Sequence, residues 1–316
     1  MLSDVLNRPW RKRSRPRRRA RTAPGGLAAA AAVTAAALLP AAVCATPASA
    51  APTHPAHTRT HYYLSLGDSL AAGYQPDAKT NVPGVSYTDQ LYQRLKKNDP
   101  GLVHVQLGCS GETTTTLLDG GICSYSGARS QLDAATAFLR QHRGQVTTVT
   151  LDIGANDVDG CFSASGIDTG CVLKGLATVT KDVPRIAAEL RAAGGPGPRY
   201  AGMTYYDPFL ATWLLGSSGH TLADLSVPLA DTLNTVLSTA FRINGFRVAD
   251  ASAAFQTNDF APVDAPGLGT VPENVARICA LTWMCTPYED IHATRQGHAL
   301  LADVFQRALE ARGTGR

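Results

Sequence analysis

The chain has 316 residues, 44% of them apolar and 17% charged, with a formal net charge of +4. That apolar content supplies a core and excludes a disordered chain, and the length suits one large domain or two small ones. The charge is uneven: nine of the 29 basic residues and only one acid, Asp4, precede Ala51, so the rest holds 20 basic against 24 acidic residues and carries −4. Positive charge confined to one N-terminal run does not mark a polyanion-binding surface, and no nucleic-acid partner is expected.

Residues 1–50 read as a secretory signal. Arg8 to Arg21 is a basic n-region, Leu27 to Val43 an alanine-rich h-region, and Ala48-Ser49-Ala50 a small-residue cleavage site. Cleavage is expected near Ala50, which makes the product a secreted, extracellular protein. A membrane anchor is the alternative reading; Pro40 and the weakly hydrophobic alanines disfavour it. No later apolar stretch approaches the roughly 18 residues of a bilayer span, so no stable membrane anchor is expected. Cys44 follows Ala41-Ala42-Val43, a poor lipobox. Arg18-Arg19 suggests twin-arginine export, but Ala20-Arg21 lacks the hydrophobic pair expected after it, so both export routes stay open. Residues 51–60 are expected to be a short linker and residues 61–316 one catalytic domain.

Strands and helices then alternate. Tyr62 to Leu66 is a β-prone run ending at Gly67, and Val85 to Lys97 has helical spacing. Val103 to Leu107 is a strand, Ser130 to His142 a helix, and Val146 to Ile153 a β-branched strand ending at Gly154. Leu173 to Ala193 is helical and stops at Gly194-Gly195; Tyr200 to Tyr205 is a strand; Leu222 to Ile243 is a long helix. Phe246 to Ala249 is the last strand and Gln296 to Arg312 the closing helix. Such alternation implies βαβ units: an α/β fold with a parallel sheet of about five strands covered on both faces. Ligands in such folds bind outside the carboxyl ends of the strands.

Without Cys44 six cysteines remain, an even number that suits an oxidising compartment. Six allow 15 connectivities. Their order along the chain favours neighbours pairing, as Cys109–Cys123, Cys161–Cys171 and Cys279–Cys285. A metal site is the alternative, but no Cys-x-x-Cys occurs and no metal or organic cofactor is expected.

Polar signatures stand at three strand ends and before the closing helix: Gly67-Asp68-Ser69-Leu70, Gly108-Cys109-Ser110-Gly111-Glu112, Gly154-Ala155-Asn156-Asp157, and Tyr288-Glu289-Asp290-Ile291-His292. Each alone reads equally well as a turn or a helix start. In this order, at these places, the sequence resembles the SGNH (GDSL) hydrolases, and within them the secreted actinobacterial esterases and lipases. The resemblance runs from about Tyr62 to the closing helix, and the three cysteine pairs also look like those of that group. It implies a three-layer α/β/α flavodoxin-like domain that hydrolyses esters through an acyl-serine intermediate. By motif the family's four residues fall on Ser69, Gly111, Asn156 and His292. The resemblance implies Ser69 as nucleophile, His292 as general base, and an oxyanion hole from the Ser69 N–H, the Gly111 N–H and the Asn156 side chain. A serine hydroxyl needs a base to take its proton. An imidazole exchanges protons near neutral pH and can pass that proton to the leaving alcohol.

One departure concerns the acid. The family's common form is Asp-x-x-His, and that position here is Glu289, with Asp290 one residue nearer. Glu289 by its side chain, Asp290 from a shifted loop, or a backbone carbonyl near 289 could each orient His292; the spacing leans toward residue 289. The Gly-x-Ser-x-Gly elbow of the larger α/β-hydrolases is absent, because Ala71 stands where its last glycine would be. Cys279–Cys285 would pin the loop before His292, and Cys109–Cys123 the segment with Gly111, so both are expected to pre-organise the site. Phe162, Phe209, Trp213, Leu214 and Leu215 are candidates to line an acyl groove, with core packing as the alternative. The expected substrate is an ester or lipid and the expected state a monomer. A phospholipase or a polysaccharide deacetylase is the alternative within enzymes, and a non-catalytic extracellular binding module the alternative outside them.

Overall fold

The computed structural model describes residues 60–163 and 166–311. The expected signal segment, with Cys44 and the cleavage site at Ala50, lies outside the described residues, as do the linker up to residue 59 and the last five residues.

The sheet is built from β1 (His61–Gly67), β2 (Leu102–Gln106), β3 (Val146–Asp152), β4 (Arg199–Met203) and β5 (Arg247–Ala249). Their spatial order is β2-β1-β3-β4-β5 and every pairing is parallel. That is the flavodoxin-like order, and it agrees with the alternation read from the sequence. Leu64, Leu66, Val149 and Leu151 on the two inner strands are fully buried, which is why those segments read as near-continuous apolar runs.

Helices cover both faces. The short α1 (Ser69–Ala72) follows β1 directly; α2 (Tyr87–Asn98) and α3 (Thr114–Asp119) flank β2; α4 (Gln131–Gln141), α5 (Thr169–Gly194), α6 (Ser217–Ile243) and α7 (Arg295–Glu310) complete the layers. On one side α2 packs on α7, with Tyr87 stacked on Phe305 at 4.6 Å. On the other, α5 packs between α4 and α6. Ser86, Ser130 and Thr294 cap α2, α4 and α7 through their side chains, satisfying N–H groups the first turn leaves free.

Two helices begin earlier than expected: α5 at Thr169 and α6 at Ser217. The Asp168 side chain accepts from the Cys171 N–H and starts α5 in a segment with no apolar periodicity to announce it. Several short pieces carry too few residues for a period to register. They include the helix Glu273–Leu281, the hairpin of Pro262–Ala265 with Gly269–Pro272, and an antiparallel pair, β6 (Thr282–Trp283) and β7 (Asp290–Ala293). Disulfides join Cys109–Cys123, Cys161–Cys171 and Cys279–Cys285, with Cα separations of 6.1, 5.5 and 4.9 Å.

Candidate active site

The carboxyl end of β1 turns sharply into α1. Gly67 takes a φ of 144°, and a Cβ there would collide with the Asp152 carboxyl, so this position needs glycine. Asp68 caps α1 by accepting from the Leu70 N–H at 2.9 Å. Ser69 is the first helical residue, where a backbone N–H has no partner within the helix. Gly73 ends the turn of helix in a left-handed conformation.

His292 reaches Ser69 from the other end of the chain. It sits on β7, and its Nε2 is 2.8 Å from Ser69 Oγ. Its Nδ1 is 2.6 Å from Asp290 Oδ1, which also accepts from the His292 backbone N–H at 2.9 Å. With Nδ1–H donating to the carboxylate, the Nε2 lone pair is left facing the serine hydroxyl. The acid on the ring is therefore Asp290 and not Glu289, toward which the spacing leaned. Residues two apart on a strand point to one face, so Asp290 and His292 share a side of β7. Glu289 lies before the strand, exposed, in a left-handed conformation that closes a turn on Thr286. Burial raises the Asp290 carboxyl, but the hydrogen bonds and charge of His292 outweigh it and hold the group below the usual carboxylate range.

β7 is held from three directions. The Tyr206 hydroxyl donates to the Ile291 carbonyl at 2.8 Å, and Gln75 Nε2 to the Ala293 carbonyl at 3.0 Å. The Trp283 indole donates to Gln75 Oε1 at 3.2 Å, tying β6 to the same amide. The ring of Tyr74 lies 4.7 Å from that of His292.

Asn156 lies in the 3₁₀ turn Ala155–Asp157 after β3. One hydrogen of its amide goes to the Glu112 carbonyl at 2.9 Å, which leaves the second free to serve another acceptor. Gly111, the neighbour of Glu112, has a φ of 82° on the loop after β2. Asp157 accepts from the Thr114 N–H and hydroxyl at 2.9 and 2.7 Å. The loops bearing Gly111 and Asn156 are thus fastened together. Gln131, which the motifs did not mark, adds a further tie through Glu112. Gln131 bonds both backbone groups of Gly67, and its Nε2 also donates to the buried Glu112 carboxyl at 2.9 Å.

Beside Ser69 opens a cavity of about 750 Å³, mouth included, which Asn156 and His292 also line. Gly111 does not line it. Its walls are mostly apolar, among them Leu70, Val158, Val172, Leu176, Leu229 and Leu233. Phe162 and Phe209 line it, stacked at 3.8 Å. Trp213, Leu214 and Leu215 do not: Trp213 stacks on His220 and Leu215 is exposed. The Asp159 carboxyl lines the cavity with no hydrogen-bond partner among the described residues; burial, then the charges of Asp68, Asp207 and Asp157, push it up to about 8. Asp207 accepts from Ser226 and the Phe209 N–H, and burial still pushes it up to about 6. Among the described residues no group of three or more His, Cys, Asp or Glu is placed to hold a metal, and no helix is long and apolar enough to cross a membrane.

A 2-1-3-4-5 parallel sheet with a serine, an imidazole and a carboxylate in line at its carboxyl edge defines an α/β/α hydrolase. The model of the GDSL-like lipase/acylhydrolase family matches residues 65–300, and the chain belongs to that family. Its activity is accordingly of the esterase, lipase or acylhydrolase kind. The fold is similar to that of an extracellular lipase from Streptomyces rimosus, at 18% identity and a TM-score of 0.51 over 79% of this chain and all of that one. It is also similar to that of a protein named as a GDSL-like lipase from Parabacteroides merdae, at 14% identity and a TM-score of 0.51 over 80% and 96% of the two chains. No curated protein sequence matches the chain significantly.

Proposed function

We propose that the chain is a secreted serine esterase or lipase that cleaves carboxylic esters through an acyl-serine intermediate. Residues 1–50 direct export, and residues 61–316 are the catalytic domain. The observation that carries the reading is the relay from Asp290 to His292 to Ser69, with contacts of 2.6 and 2.8 Å. A binding module would have no use for it.

Ser69 Oγ attacks the ester carbonyl carbon as its proton passes to His292 Nε2, and Asp290 steadies the imidazolium through Nδ1–H. The oxyanion accepts from the Ser69 and Gly111 N–H groups and from the Asn156 amide hydrogen that Glu112 leaves free; each such donor contributes about 3–4 kcal/mol. The tetrahedral intermediate collapses, the C–O bond breaks, and the alcohol leaves with the proton from Nε2. Water then attacks the acyl-serine, gives its proton to Nε2, and restores Ser69 as the acid departs. The apolar cavity favours a chain of several carbons over an acetyl group, and thus a lipase or esterase over a polysaccharide deacetylase.

Hydrolysis of p-nitrophenyl esters by the purified mature protein and by Ser69→Ala tests this. Turnover by the first and its loss in the second is expected. Equal rates, or none from either, would overturn the reading.

A further inference from the structure

Behind Ser69 runs a buried polar chain that the relay does not use. The Tyr205 hydroxyl donates to Asp68 Oδ2 at 2.6 Å, while Asp68 Oδ1 accepts from the Leu70 N–H. The Tyr87 hydroxyl donates to Asp152 Oδ1, and the Asp68 and Asp152 carboxyls lie close enough to act on each other. Asp152 ends β3 in register with Gly67, so its carboxyl lies directly under the nucleophile turn. Both carboxyls are buried, at 2% and 0% exposure.

Two ionised carboxylates cannot share that space cheaply. The titratable groups facing the pair are Tyr63 from β1, Tyr87 from α2, Asp157 and Asp159 after β3, Tyr205 and Tyr206 after β4, and His292 from β7; no lysine or arginine is among them. The hydrogen bonds also show where a proton belongs. Asp68 has a donor on each oxygen, as a carboxylate requires. Asp152 Oδ2 has no donor and would be an orphan if ionised. One proton on Asp152, given to Asp68, removes both the repulsion and the orphan.

We propose that Asp152 is a positioning residue, held as a neutral acid that donates to Asp68 and so fixes the turn presenting Ser69. Burial raises both groups, Asp152 the further because the Asp68 charge adds to it. The idea rests on Ser69 being the nucleophile, and Ser69→Ala separates the two: if that variant stays active, the proposed function fails first.

The test compares Asp152→Asn with Asp152→Leu on a p-nitrophenyl ester at neutral pH, counting intact sites by titration with an organophosphonate. Asparagine can donate to Asp68 and accept from Tyr87, so kcat within about threefold of the parent is expected. Leucine can do neither, and a fall in kcat of about 100-fold is expected with KM changed less than about threefold, a misplaced nucleophile losing rate and keeping binding. If asparagine costs as much as leucine, Asp152 acts as an ion and the proposal is wrong. If the leucine variant keeps full kcat, the pair positions nothing. Should the leucine variant fail to fold, the asparagine variant decides alone: retained kcat supports the neutral donor and lost kcat overturns it.

Discussion

Gln131 holds both backbone groups of Gly67: the Gly67 N–H donates to its Oε1 at 2.7 Å, and its Nε2 donates to the Gly67 carbonyl at 3.0 Å. A side-chain amide therefore adds to the backbone partners of Gly67 at the point where β1 leaves the sheet. Gln131→Leu would strand the Gly67 N–H and take the closer donor from the Glu112 carboxyl, while the Gly67 carbonyl would keep the Cys109 N–H. A stability loss of about 2–4 kcal/mol in urea denaturation is expected, with kcat about tenfold lower. An unchanged midpoint would contradict this account of the turn.

Asp290 and Glu289 part company under substitution. Asp290→Asn removes the carboxylate charge and lets an amide N–H2 face Nδ1, which favours the wrong imidazole tautomer, and kcat is expected to fall by about 10²–10⁴. Glu289→Gln alters an exposed side chain and should stay within about twofold. Steady-state kinetics of the two variants checks the assignment; the reverse ranking would restore residue 289.

Asp159 gives the fold a pH dependence with a definite sign. Its unfolded value is about 3.9, and burial pushes the folded value up to about 8. Between them the native chain keeps a proton that the unfolded chain has lost, so this contribution to stability is whole below about pH 4 and is lost as pH rises through about 8. Asp159→Asn should flatten the fall of the urea midpoint between pH 5 and 9. The same group, once ionised, faces an apolar wall. The ratio of kcat/KM for decanoyl over butyryl esters is expected to drop above pH 8 in the parent and to stay level in the variant.

Opening Cys109–Cys123 should affect more than stability. The bond closes a short loop, for which about 2–3 kcal/mol is expected, and that loop carries Gly111. Replacing both cysteines by serine should lower Tm and also reduce kcat, with KM nearly constant. A variant less stable but fully active would confine the bond to a structural role.

The sheet was legible because parallel strands are buried on both faces and their apolar runs stop at glycines such as Gly67 and Gly154. The motif residues Ser69 and Asn156 were legible because each follows the end of a strand, and His292 because its motif stands just before the closing helix. The choice of Asp290 over Glu289 was not. It depends on β7, a strand of four residues paired with one of two, too short for alternation to register. Gln131, Asp152 and Tyr205 escaped for another reason. Their role comes from contacts across 64, 65 and 137 residues of sequence, and nothing local distinguishes a polar residue that finds such a partner from one that meets water.

The serine and the imidazole stand 223 residues apart in sequence. On the proposed mechanism, a ribosome therefore completes the nucleophile's turn long before it makes the group that activates it. Every nascent or C-terminally clipped chain ending before Asp290 carries the serine with no base beside it. On that mechanism such a chain would be inert toward esters however well its sheet had formed, so activity reports on the arrival of the segment that carries Asp290 and His292.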